Sequence, residues 1–319
     1  MKAIQIKTLD GPKAVELVDV DEPVAAEGQV VITVKASGVS FPEVLQTRGL
    51  YQLKPPLPFT PGSEVAGEVL AADEATGFRP GDRVAGFCLL GGFAEQAVAQ
   101  ADMVFGLPDS VSFEQAASIP LNYLTAYFSL IKRGHMAQGE SVLVHGAAGG
   151  VGTAAIQIAK AFGSGQVIAV TSTPEKGAIA LEAGADEFVL VDGFKDAVKA
   201  KGGVDLVVDP VGGDRFTDSL RCLKDDGRLL VIGFTDGDIP TVQVNRLLLN
   251  NLAVVGVGWG AYVLARPGMI AEQWAAILPH IESGALDPVI GETFALADAA
   301  DALALIDDRK AAGKVLLTP

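Results

Sequence analysis

SVLVHGAAGGVG, residues Ser141–Gly152, packs three signals into one short stretch of sequence. Val142, Leu143 and Val144 form an apolar run of the length of a buried parallel strand. The small residues Gly146, Ala147, Ala148, Gly149 and Gly150 break it. Ala154, Ala155, Ile156, Ile158, Ala159 and Phe162 then recur at helical spacing until Gly163 ends the run. A strand, a tight turn of small residues and a helix make a phosphate site, because bare backbone lets a pyrophosphate approach and the helix N-terminus offers N–H groups and positive dipole. The pattern is A-x-G-x-x-G, with Ala147 in place of the first glycine. A ligand-free turn could use the same glycines, but the flanking strand and helix favour a nucleotide site over Ala148, Gly149, Gly150, Val151 and Gly152.

Beyond this turn, strand and helix alternate for more than a hundred residues. Strands are expected over 166–171, 187–191, 204–209, 228–232 and 253–257, and helices over 175–182 and 214–223. The fold class is therefore α/β, with a doubly wound parallel sheet whose ligands lie beyond the carboxyl ends of the strands. Gly233-Phe234 and Gly256–Gly260 stand at two such ends. The first hundred residues read differently, as short strands over 3–8, 30–36, 65–70, 82–87 and 93–99. Turn formers such as Asp10-Gly11-Pro12 and Pro80-Gly81-Asp82 separate them, and the spacing suggests a small β barrel. Phe41–Arg48 can form a short helix, and the four prolines of Tyr51–Pro61 keep that segment extended. Ser112-Phe113-Glu114-Gln115 has capping-box spacing and opens a new regime. A helix over 119–131 leads into the nucleotide domain, with Asn122 and Thr125 on one face. Helices over 269–283 and 298–307 and a strand over 314–317 close the chain.

Composition narrows the function. A formal charge of −15 with no cluster of Lys and Arg excludes a nucleic-acid partner. Cys88 and Cys222 are the only cysteines, too few for a disulfide framework and suited to a reducing cytosol. Met1–Lys13 lacks the apolar segment of a secretory signal, so a cytoplasmic location is expected. Leu247–Ala265 approaches the length of a membrane span, but Asn250, Asn251, Gly256, Gly258 and Gly260 interrupt it, and a buried strand is the expectation. The three histidines, His135, His145 and His280, are spaced for structural roles rather than for ligation.

Five ordered stretches carry a family resemblance. They are Gly38–Glu43, Pro58–Gly67, Arg79–Val84, Asn122–Tyr127 and His145–Gly152. On them the chain resembles the zinc-independent, zeta-crystallin-like quinone oxidoreductases of the medium-chain dehydrogenase/reductase superfamily, essentially from end to end. The resemblance implies a GroES-like barrel from residues 1–118 and 265–319, a Rossmann domain over 119–264, and a cleft where nicotinamide meets substrate. It also implies that zinc-dependent relatives carry a cysteine where this chain has Val39 and a histidine where it has Ser63. Neither valine nor serine replaces thiolate or imidazole as a zinc ligand, so no metal is expected. Glu64 follows the family pattern and, without a metal, is expected to accept structural hydrogen bonds.

The expected reaction is hydride transfer from NADPH to a quinone or conjugated carbonyl. NADPH is preferred because no acid stands at the end of the second nucleotide-domain strand, where an NAD enzyme binds its ribose hydroxyls. Thr171 and Ser172 can donate to a 2′-phosphate, and Lys176 adds positive charge. By resemblance the backbone at Gly233, Phe234 and Val257 holds the carboxamide. Ser40, Tyr51, Asn122 and Thr125 are the expected polar residues at the substrate. Two other readings stand beside this one: an enoyl or acryloyl thioester reductase, for which Arg48 and Lys54 would supply the basic entrance, and a non-catalytic NADPH-binding redox sensor. Leu252–Gly258 is too apolar for an exposed sheet edge, and a homodimer joined there is expected.

Overall fold

The computed structural model describes residues 1–319. The chain divides into two compact units. The first comprises Met1–Leu121, Pro267–Ala276 and Pro288–Pro319, and the second Asn122–Arg266 and Ile277–Asp287.

The strands of the amino-terminal part are β1 (Lys2–Ile6), β2 (Val15–Asp19), β3 (Gln29–Val39), β4 (Glu64–Ala72), β5 (Arg83–Phe87), β6 (Gln96–Gln100) and β7 (Val104–Gly106). Those of the nucleotide unit are β8 (Ser141–His145), β9 (Gln166–Thr171), β10 (Glu187–Leu190), β11 (Val204–Asp209), β12 (Leu223–Val231) and β13 (Ala253–Gly256). Two more, β14 (Ile290–Ala295) and β15 (Lys314–Thr318), return to the first unit.

In the first unit β1 and β2 form a hairpin, and a seven-stranded sheet runs β14-β15-β3-β4-β5-β7 with β6 also on β3. Alternate apolar residues turn inward, as half-buried antiparallel strands require: Val30, Ile32, Val34, Val65, Val69 and Val84 make one cluster. Strand register fixes the neighbours of the last residues of β3. Leu316 lies opposite Gly38 and Val315 opposite Val39 on one side of β3, while Glu64 lies opposite Gly38 on the other. The end of β3 is thus flanked by the starts of β4 and β15.

In the second unit six parallel strands run in the order β10-β9-β8-β11-β12-β13, a doubly wound order with β8 and β11 adjacent. Their near-continuous Val, Leu and Ile runs reflect burial on both faces. Leu143, Ile168, Val207 and Leu229 form the centre of one core, closed by Phe194, Val198, Phe216 and Leu220.

Several sequence expectations shift. The capping box at Ser112 is present, but the helix it starts is short, Phe113–Ala116. The helix expected over 119–131 begins only at Asn122, after Pro120, and passes at Phe128–Arg133 into a π-helix. Leu247–Ala265 is not one buried strand. It is the end of a helix (Asn245–Leu249), the edge strand β13 and a second helix (Trp259–Leu264). No helix is long and apolar enough to cross a membrane.

Candidate active site

The nucleotide turn is built as its residues dictate. Gly146 takes φ 58°, the left-handed region, and lets the chain leave β8 sharply. Gly149 N–H donates to Gly146 O at 3.0 Å, and helix Gly150–Ala161 starts at once. A Cβ on Gly152 would overlap Gly146 O and come within 2.7 Å of the Ala147 Cα, so only glycine lets this helix pack on the turn. The N-cap, Gly149, has no side chain to cap the helix, whereas Thr173 accepts from Lys176 N–H at 3.3 Å and caps the next helix, Pro174–Glu182. The first helix therefore presents bare N–H groups where a pyrophosphate would need them, and the residues present fit a dinucleotide.

Asn122 sits against this helix start: a Cβ on Gly150 would fall on its amide nitrogen. Both Asn122 and Thr125 are buried in the second unit. Geometry thus aligns Asn122 with the phosphate turn, and Ser40 and Tyr51 belong to the first unit.

At the end of β9, Thr171 is buried and its hydroxyl donates to Thr173 O at 3.1 Å. That proton is committed, which leaves exposed Ser172 as the hydroxyl donor for a 2′-phosphate. Partial burial lowers the pKa of the half-buried Lys176 ammonium from its usual value. Gly177, next in line, is closed to any side chain, since a Cβ would stand 2.5 Å from the Phe188 ring. Gly233, Phe234 and Val257 follow β12 and β13, at the carboxyl ends of the sheet, and Phe234 packs over Gly212.

Below the turn, His145 is fully buried and structural. Its Nε2 lies 2.7 Å from Ser219 Oγ, which itself donates to Arg215 O at 2.9 Å, so the imidazole N–H is the donor. Its ring meets Phe194 edge-on at 5.0 Å. Burial, helped by the Arg215 charge, pushes its pKa down to about 3, against 6.5 for an ordinary histidine. Above about 6.5 neither the folded nor the unfolded chain protonates it; as pH falls from there toward 3, the unfolded chain gains a proton that the folded one refuses. Stability is expected to fall by up to about 1.4 kcal/mol per pH unit through this window. His145→Gln should flatten that slope in urea unfolding measured between pH 6.5 and 4, and an unchanged slope would assign it to other groups.

The first unit holds a buried polar cluster where three strand ends meet. Ser40 follows β3 and begins helix Phe41–Gln46, Glu64 opens β4, and Lys314 opens β15. Lys314 Nζ donates to Glu64 Oε1 and, at 2.6 Å, to Ser40 Oγ. Glu64 Oε2 accepts the Leu121 N–H at 2.7 Å. Glu43 Oε2 accepts Ser40 N–H at 3.0 Å, and its Oε1 lies 2.6 Å from Ser63 Oγ. Gly38 is required beside them, since a Cβ there would stand 2.5 Å from Glu64 Oε1 and 2.7 Å from Ala117 O. Glu64 accepts hydrogen bonds as expected of it. Burial pushes the Glu43 carboxyl up to about 7, against the Ser63 hydrogen bond and the Lys314 charge. Tyr51 is half-buried nearby, its phenol pKa raised by burial and by the Glu43 charge.

The cluster corrects one assignment. Val39 packs into the apolar core with Ile4, Val44, Phe93 and Leu317. The side chain turned toward Ser63 and the carboxylates is that of Ser40, so position 40 is where a metal ligand would have to stand. The donor set does not fit zinc: Ser40 and Glu64 hold the Lys314 ammonium, Ser63 and Glu43 hold each other, no imidazole stands among them, and the nearby Cys88 thiol bonds Gly62 O. Sequence reasoning missed Glu43 and Lys314. The spacing Ser40-x-x-Glu43, a capping-box pattern ahead of an apolar run, was a signal for the first. Nothing local announces the second.

Two family models match the chain, one described as an alcohol dehydrogenase GroES-like domain over residues 26–109 and one as a zinc-binding dehydrogenase over residues 150–282. A quinone oxidoreductase of Homo sapiens is 36% identical and aligns over 99% of this chain and 97% of its own length. Quinone oxidoreductase-like protein 2 of Mus musculus is 38% identical over 91% of this chain and 85% of its own. Among solved structures, the quinone oxidoreductase of Thermus thermophilus, determined alone and with NADPH, has 38% identity and a TM-score of 0.88 over all of both chains. The Escherichia coli quinone oxidoreductase complexed with NADPH has 30% identity and a TM-score of 0.91, again over all of both chains.

Proposed function

The chain belongs to the quinone oxidoreductase family of the medium-chain dehydrogenase/reductase superfamily, and on that basis we propose that it reduces a quinone or conjugated carbonyl at the expense of NADPH, without zinc. The observation that carries this is the uncapped glycine turn at Gly149–Gly152 followed, one strand on, by Thr171-Ser172 in place of an acid. NADPH, when bound, supplies the hydride. The chain's own residues bind and orient. The N–H groups of the helix start hold the pyrophosphate, Ser172 and Lys176 hold the 2′-phosphate, and the backbone of Gly233, Phe234 and Val257 orients the carboxamide. Thr171 contributes backbone only, and Asn122 and Thr125 steady the cofactor side. Ser40 and Tyr51 orient the acceptor and hydrogen-bond its oxygen.

The thioester-reductase alternative loses one of its two supports, because Arg48 forms a bidentate pair with Asp307 at 2.7 and 2.6 Å rather than offering an open phosphate site. Anaerobic stopped-flow oxidation of NADPH by quinones, enones and enoyl thioesters tests the proposal. Quinone or enone turnover that survives exhaustive chelation, with none on ethanol or benzyl alcohol and NADP⁺, supports it; stoichiometric zinc whose removal abolishes activity overturns it. Lys176→Ala is expected to raise the Kd for NADPH by about ten-fold to a hundred-fold, the size of a charge-assisted hydrogen bond, and to leave NADH binding unchanged by fluorescence titration.

Assembly and location complete the proposal. β13 is an edge strand, and Ile239, Val244, Leu248 and Leu249 in its unit are 72–77% exposed. Pairing with a second copy covers such an edge, so the chain is proposed to be a homodimer, which sedimentation at micromolar concentration would refute by a purely monomeric profile. Two free thiols, Cys88 and Cys222, suit a cytoplasmic setting.

A further inference from the structure

We propose that the Glu43 carboxyl, acting through the Ser63 hydroxyl, supplies the proton to the acceptor atom that becomes basic on taking up hydride. The inference rests on the hydride-transfer reading above and adds to it the origin of the proton. Glu43 is 1% exposed, less than the two serines it is hydrogen-bonded to, Ser63 at 8% and Ser40 at 9%, so any proton it exchanges passes most directly through a serine. At 2.6 Å, Glu43 Oε1 and Ser63 Oγ share a short hydrogen bond whose direction depends on which oxygen holds the proton. With Glu43 ionised, Ser63 donates inward. With Glu43 protonated, the carboxyl donates to Ser63 Oγ and frees the serine O–H to donate outward.

The surrounding charges favour the protonated form. Glu64 of β4 and Lys314 of β15 already neutralise each other. Asp307, on the helix Ala299–Asp307, is held by Arg48. Tyr51 and Cys88, which face Glu43 from the loops after its helix and after β5, have pKa values raised by burial and by its charge, Cys88 to about 12, and neither offers a cation. The Lys314 charge and the Ser63 hydrogen bond only partly offset the burial of Glu43, and its pKa rises to about 7.

The step balances. The hydride brings two electrons to the acceptor and leaves NADP⁺. The electron pair of the conjugated bond moves to the acceptor oxygen, or to carbon in the enolate form. Ser63 gives its proton to that atom as Glu43 gives its own to Ser63 Oγ. Glu43 is left as carboxylate and recovers a proton from water after product leaves.

Two measurements test this. In cofactor-free protein, the infrared band of a protonated carboxyl should disappear with a midpoint near pH 7 and be missing from Glu43→Gln, whose amide can keep both hydrogen bonds. In turnover, an enone, whose enolate is strongly basic, is compared with a polychlorinated quinone, whose hydroquinone is acidic enough to need no donor. Glu43→Gln and Ser63→Ala are expected to lower kcat for the enone by about 10²-fold more than for the chlorinated quinone and to remove the fall of the enone kcat above pH 7. Equal losses on both acceptors, a wild-type enone profile flat through pH 7, or no titrating infrared band would each overturn the inference. If neither acceptor oxidises NADPH with the wild-type protein, the hydride-transfer reading falls first, and this inference with it.

Discussion

Gly152→Ala is expected to weaken NADPH binding by at least about a hundred-fold, equivalent to roughly 2.7 kcal/mol, without disturbing the first unit. The atoms a Cβ would meet are the Gly146 carbonyl and the Ala147 Cα. Both are backbone, so no rotamer change relieves the overlap, and either the helix moves off the turn or the turn opens. Overpacking of this kind costs about 1–3 kcal/mol in stability. The binding loss is larger because the N–H groups of Gly150, Val151 and Gly152 act as a set, and tilting their helix spoils every contact to the pyrophosphate together. Isothermal titration with NADPH reads the loss directly, and an affinity within three-fold of wild type, about 0.6 kcal/mol, would show that the turn absorbs the methyl group.

Lys314→Ala is the second large effect. Glu64 is 0% exposed and Lys314 3%, and deletion of the ammonium leaves a carboxylate with one backbone N–H and one hydroxyl for company. Breaking a buried pair from one side costs about 3–5 kcal/mol. Adding Glu64→Gln should recover most of this, because the double change leaves no bare charge. The two tryptophans make the measurement local. Trp274 belongs to the first unit, where it stacks on Phe105 at 4.6 Å, and Trp259 belongs to the second. In a Trp259→Phe background, urea unfolding followed by Trp274 fluorescence should report the whole loss. A shift below about 1 kcal/mol would mean that Glu64 survives alone, contrary to the magnitude for a buried pair.

What the sequence disclosed was local, and what it withheld depended on distant partners. The glycine turn needs only its immediate neighbours in the chain, and β11 has the bounds read for it, Val204–Asp209. Helix Phe194–Ala200 escaped because only Phe194 and Val198 of its seven residues are buried, too few for a visible period. β14 escaped because most of its side chains are exposed, and it is a strand only by virtue of pairing with β15. Leu247–Ala265 misled because a continuous apolar run carries no period to separate helix from strand. The polar cluster divides the same way. Ser40 and Ser63 came with the resemblance, but a one-residue slip in a strand exchanges its faces, and that slip separates core-facing Val39 from Ser40. Lys314 meets Glu64 across 250 residues of sequence, through a register that only the folded sheet defines.

The phenyl ring over Gly177 sets terms for anyone who would redesign coenzyme preference. A second arginine or lysine beside Lys176 has no room, because Phe188 occupies the place of its first carbon, and enlarging that room would mean hollowing the contact between helix Pro174–Glu182 and β10. Positive charge can therefore be removed at Lys176 but not added at Gly177. Conversion toward the non-phosphorylated coenzyme is a matter of replacing Ser172 and Lys176, whereas a tighter grip on the phosphorylated one has to come from those two positions and not from 177.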